Sequence, residues 1–185
     1  MFIQTEATPN PATIKFLPGQ DVLPGGAMEF KSLEDAEASP LAQRLFALQG
    51  VSGVFLGSDF VSVSKADDTD WSMLKSMVLG ALMEHLSTGQ PIVLEGANND
   101  SSAISEDDDE IVVQIKQLIE ERVRPAVMQD GGDIVFDSFD DGVVYLEMRG
   151  ACSGCPSSTM TLKSGIENML KHFVPEVTEV RAVPA

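Results

Sequence analysis

The sequence predicts an α+β protein, with two small domains of mixed helix and strand joined by a flexible acidic linker. Three observations predict it. Residues 96–106 hold one large apolar residue, Ile104, among small, polar and acidic ones, too little to offset the entropy of ordering them. The residues after this stretch switch between helical and strand periods in the order helix, strand, strand, helix, strand. Those before it mix short strands, proline–glycine punctuation and two helical stripes. The expected bounds are therefore 1–95 for the front domain, 96–106 for the linker and 107–185 for the rear domain.

In the front domain, residues 2–5 and 13–17 read as short strands around the turn Thr8-Pro9-Asn10-Pro11, and Pro24-Gly25-Gly26 punctuates the chain afterwards. Ser39-Pro40 reads as an N-cap with proline at the first helical position, opening a helix to about Leu48. Residues 51–56 and 60–64 form an expected hairpin across Gly57-Ser58-Asp59. Asp70 caps a longer helix with Trp71, Leu74, Val78, Leu82 and His85 on one face.

In the rear domain, Ile111, Ile115, Leu118, Ile119 and Val123 make a helical stripe expected to end near Pro125. Asp107, Asp108, Asp109 and Glu110 precede it, where negative charge favours the helix dipole. Gly131-Gly132 break the chain. Residues 133–139 and 143–148 then flank Asp140-Asp141-Gly142 as antiparallel strands. A helix follows from Pro156 to about Phe173 on Leu162, Ile166, Met169 and Leu170, and residues 177–183 read as a closing strand.

Composition narrows the function. The formal net charge is −17, which argues against nucleic acid or any phosphate-rich partner. No apolar run approaches the roughly 20 residues that span a bilayer, so no membrane segment is expected. The first residues resemble neither a secretory signal nor a transit peptide. The expected compartment is a reducing bacterial cytoplasm, and a mature mitochondrial matrix form would read the same way.

The chain has two cysteines, Cys152 and Cys155, in Gly150-Ala151-Cys152-Ser153-Gly154-Cys155-Pro156, and two histidines, His85 and His172. Pro156 at a helix start puts Cys155 at or beside the N-cap, where unpaired N–H groups and the dipole favour a thiolate. Thiolates bind metal and attack disulfides. Structural zinc and cubane iron–sulfur clusters usually take four ligands, so two thiols are half a site. Spacing leaves four readings open: inert thiols, a dithiol–disulfide oxidoreductase, a zinc site shared by two chains, or an iron–sulfur cluster shared the same way. The missing longer βαβ pattern weighs against the oxidoreductase. The front domain shows no nucleophile–base set, phosphate loop or metal cluster.

Gln129-Asp130-Gly131-Gly132-Asp133-Ile134, with Gly150 to Ser158, closely resembles the C-terminal domain of the NifU/Nfu family. Thr8-Pro9-Asn10-Pro11-Ala12-Thr13-Ile14-Lys15-Phe16-Leu17-Pro18-Gly19 and residues 53–65 resemble the Nfu N-terminal domain. The resemblance implies an iron–sulfur cluster scaffold or carrier in which Cys152 and Cys155 ligate a [4Fe–4S] cluster shared by two chains. It implies a non-enzyme without catalytic residues, a homodimer when loaded, and upstream cluster donors and apo recipient proteins as partners. Longer NifU proteins carry further cysteine-bearing domains, and their first assembly step is not expected here. The front domain is expected to recognise recipients or regulate the rear one.

Weaker expectations attach to other residues. Asp130, Gly131 and Gly132 either shape a surface beside the cluster or make a plain turn. Lys163 is a solvated lysine or a counter-charge to the cluster. His85 reads as core, His172 as a dipole partner at a helix end. Met73, Met77, Met83, Met128, Met148, Met160 and Met169 read as packing.

Overall fold

Thr13 to Leu17 alternates Ile14 and Phe16, which face the core, with Thr13, Lys15 and Leu17 on the other face, the period of a strand, and Thr13 and Lys15 are buried as well. In the computed structural model, which describes residues 2–24, 26–97, 106–152 and 156–183, this stretch is β2 (Thr13–Leu17). It lies between β1 (Gln4–Ala7) and β5 (Val61–Lys65). With β3 (Met28–Phe30) and β4 (Val51–Leu56) it completes a sheet of order β1-β2-β5-β4-β3, antiparallel throughout. Helices α1 (Pro40–Phe46) and α2 (Trp71–Thr88) supply Leu41, Leu45, Leu74, Val78 and Leu82 to a core shared with Phe16, Phe30, Val54, Leu56, Val61 and Val63. Each such buried side chain contributes about 1.5–3 kcal/mol.

Both expected caps are present. The Ser39 hydroxyl accepts from Ala42 N at 3.1 Å and donates to Ile92 O at 2.5 Å. The Asp70 carboxylate accepts from Ser72 N at 2.7 Å. Strand β1 starts two residues later than expected. Thr8 and Asn10 side chains bond the turn backbone at Thr13 O and Ala12 N, which tightens the loop and carries pairing up to Ala7 against Ile14. Strand β3 and a 3₁₀ turn, Asp35–Ala38, were not expected, each being too short to show a period.

The chain divides into two compact units, Met1–Asn99 and Asp100–Ala185. Residues 98–105 of the expected linker region lie outside the described residues. In the second unit, α3 (Glu110–Leu118) passes into a π turn (Ile119–Val123) and then α4 (Arg124–Gln129). The expectation that the helix ends near Pro125 is corrected. Pro125 sits in the first turn of α4, directly after the π turn, so the helical run passes through it.

Strands β6 (Gly132–Asp140) and β7 (Val143–Gly150) pair antiparallel, and Asp141 and Gly142 join them with φ of +48° and +81°, a type I′ turn. Helix α5 (Pro156–Phe173) matches its expected bounds. Strand β8 (Glu179–Val183) then pairs parallel to β7, so β7–α5–β8 is one βαβ crossover. The core joins Ile115, Ile119, Val123 and Val127 to Ile134, Leu146 and Met148 of the strands, and to Ile166 and Leu170 of α5.

The packing expectation for methionine is corrected in part. Met148 is buried, but Met73, Met77, Met83 and Met160 are exposed.

Candidate functional site

Gly150 ends β7 at φ +62°, a left-handed turn that sends Ala151 and Cys152 back over the start of β6. Cys152 is 7% exposed and belongs to the second unit's apolar core. Cys155 lies outside the described residues, as do Ser153 and Gly154. Helix α5 begins at Pro156, the residue that follows Cys155. In sequence the two cysteines therefore fall between the strand and the helix of a βαβ unit.

The Gly131-Gly132 backbone forms the floor under Cys152. Gly131 has φ +81°, and its carbonyl accepts from Ala151 N at 3.2 Å. A Cβ on Gly132 would stand 2.6 Å from Cys152 Sγ and 2.8 Å from the Arg149 carbonyl oxygen. No side chain fits there. Of the two readings for Asp130, Gly131 and Gly132, the glycines thus make a turn and a wall against the cysteine, while Asp130 is exposed.

An ion pair that the sequence reading missed braces this floor. Arg124 is 4% exposed and Asp133 fully buried. The guanidinium donates to both Asp133 oxygens, Nε to Oδ1 and Nη2 to Oδ2, each at 2.9 Å. Its Nη1 donates to Glu120 Oε2 at 2.7 Å, and Ile134 N donates to Asp133 Oδ1 at 2.8 Å. Burial works against the Arg124 charge, yet Asp133 and Glu120 outweigh it and raise its pKa. Burial pushes the Asp133 carboxyl above the usual carboxylate range, against the pull of Arg124, Ile134 N–H and Arg149. No local signal in the sequence marks this pair, whose members stand nine positions apart.

The remaining candidates disperse. His85 is buried in the first unit, with Nε2 3.1 Å from Pro91 O, and Nδ1 has no hydrogen-bond partner among the described residues. His172 lies in the last turn of α5, its ring edge-on to Phe173. The Lys163 charge acts on Glu167 and Glu179. Among the described residues no group of three or more His, Cys, Asp or Glu side chains is placed to hold a metal ion.

The family model for the scaffold protein Nfu/NifU N terminal matches residues 3–89, and that for the NifU-like domain matches residues 115–181. The NFU1 iron-sulfur cluster scaffold homolog, mitochondrial, of Drosophila willistoni is 50% identical over 184 residues, covering 99% of this chain and 64% of that protein. NifU-like protein 4, mitochondrial, of Arabidopsis thaliana is 52% identical over 184 residues, covering 97% of this chain and 65% of that one. The chain thus spans just under two thirds of these relatives' length. A solution NMR structure of a NifU-like protein from Saccharomyces cerevisiae aligns with 51% of this chain and 86% of its own, at 25% identity and a TM-score of 0.47.

Proposed function

Because this chain belongs to the NifU/Nfu family, we propose that it is an iron–sulfur cluster carrier. In this reading Cys152 and Cys155 of two chains together hold a [4Fe–4S] cluster, which passes to apo recipient proteins. The observation that carries the proposal is a two-cysteine step at the β7–α5 junction, in a chain with no other cysteine to complete a four-thiolate set. The names of the relatives, an iron-sulfur cluster scaffold homolog and a NifU-like protein, support the scaffold part of it.

Half a site per chain couples cluster binding to association, because the loaded form gains its full ligand set only as a symmetric pair. Each chain then tethers the cluster by two thiolates. A recipient thiolate forms one iron–sulfur bond as one to this chain breaks, and the released cysteine takes up a proton. No electron need move. The cluster is cargo, and a shared site favours its departure over permanent residence.

Both named relatives are mitochondrial forms. A mature matrix protein fits those names, whereas a bacterial cytoplasm draws no support from them. The front unit is assigned recipient recognition or regulation, held near the cluster by the acidic segment.

Anaerobic reconstitution with iron and sulfide tests the reading. The expected product is a brown dimer with about four irons and four sulfides per pair of chains. Replacing Cys152 or Cys155 with Ser should abolish stable loading. A colourless monomer, or a species holding only zinc, would overturn the proposal. A second reading, dithiol–disulfide oxidoreductase, gains one observation: the parallel β8 makes the cysteine step part of a true βαβ crossover. It requires a reversible intrachain disulfide and turnover with a thiol reductant.

A further inference from the structure

A buried ion pair is expensive to desolvate and is weak grounds for stability by itself. Its better-attested use is to fix one geometry. Arg124 opens α4 and Asp133 is the second residue of β6, so their two-pronged contact closes the base of the helix-and-turn loop formed by α4 and the residues that lead into β6. That loop ends in Gly131 and Gly132. The π turn before Arg124 sets the phase of α4 so that Arg124 and Val127 both face inward. Glu120, itself exposed, takes the remaining guanidinium edge.

From this base the path to the thiol is short. Gly132 adjoins Asp133 in sequence and approaches Cys152 so closely that a Cβ would collide with Sγ at 2.6 Å. The Gly131 carbonyl holds Ala151 N at 3.2 Å. Two backbone contacts therefore set the Ala151–Cys152 turn, and both belong to the loop that Arg124 and Asp133 close.

We propose that Arg124 and Asp133 are positioning residues for Cys152, holding the Gly131-Gly132 floor that fixes where its sulfur stands. Their relevance to cargo rests on the carrier reading, but their effect on the thiol does not. A neutral residue at 133 removes the charge that Arg124 is paired with, and a lysine at 124 keeps the charge but loses the two-pronged contact; either way the loop gains freedom to lift away from the sulfur.

The test uses the full apo chain with Cys155→Ser, so that Cys152 is the one thiol, and follows its reaction with a small aromatic disulfide without denaturant. Asp133→Asn and Arg124→Lys should each speed the reaction about tenfold through local opening. Val180→Ala, which trims the core at β8 where Val180 pairs with Val144, serves as a control of comparable unfolding midpoint and should not. Equal rates in parent and variants, or variants no faster than the control, overturn the proposal. If both variants fail to fold, Glu120→Gln decides, with about a threefold rise expected for loss of its exposed contact and an unchanged rate counting against it.

With both cysteines restored and the cluster loaded, the same variants should lose it faster to a chelator and change the visible circular dichroism of the bound cluster. A parent chain that binds no cluster would overturn the carrier reading alone. The thiol kinetics would still decide the positioning role.

Discussion

Gly132 is glycine because a sulfur and a carbonyl leave no room for anything else. The backbone there is not left-handed, so the constraint is space rather than φ. Gly132→Ala should cost about 1–3 kcal/mol as Cys152 or the Arg149 backbone is displaced. Chemical denaturation would measure that loss, and a variant as stable as the parent would refute the close contact. Ser39 makes a parallel case in the first unit. Its buried hydroxyl both caps α1 and satisfies Ile92 O, so Ser39→Ala should cost about 1–2 kcal/mol. The cap was legible as Ser-Pro before an apolar stripe. The wall behind Cys152 was not, because Gly131-Gly132 reads as a turn in sequence whether or not a cysteine lies across from it. Arg124 and Asp133 were hidden for a similar reason. Nothing local announces a contact between residues nine positions apart.

Elements with long periods were readable and those set by partners were not. Helix α5 kept its expected bounds because Leu162, Ile166, Met169 and Leu170 repeat over several turns and Pro156 opens it. The π turn escaped because a widened turn changes phase without changing composition. The parallel pairing of β8 escaped because strand direction depends on the α5 crossover, not on the strand's own residues. Helix α2 carries a pH-sensitive element in His85. Burial lowers its pKa, the Pro91 carbonyl pulls the other way, and Arg44 adds to the lowering. The folded ring therefore holds a proton less well than the unfolded chain. Its contribution is full above the unfolded value near 6.5 and is lost as pH falls through the folded one. Trp71 is the only tryptophan and opens the same helix. Its fluorescence in denaturant titrations between about pH 5 and 7.5 should report stability rising with pH. His85→Gln should flatten that slope. Identical slopes in parent and variant would exclude His85 as the source.

At the scale of the whole chain, each unit has its own core, and the cysteine step belongs wholly to the second. The formal charge of −17 adds repulsion to any pair of chains. Cluster-bridged association should therefore tighten with salt, which screens that repulsion, and dilution should release cargo faster as pairs separate. Sizing of the loaded protein across salt and concentration measures both effects, and a cluster retained by a monomer at every dilution would contradict the shared site. Separate cores also permit a division of labour. If the front unit recognises recipients, a chain beginning at Glu106 should load normally, because both cysteines and the Gly131-Gly132 floor remain. It should nonetheless transfer more slowly than the full chain to recipients that the front unit binds, since the tether no longer concentrates them beside the cluster. The comparison is a transfer time course to several apo recipients at equal cluster concentration. Equal rates for every recipient would leave the front unit without a recognition role, and faster transfer by the short chain would make it a brake on release.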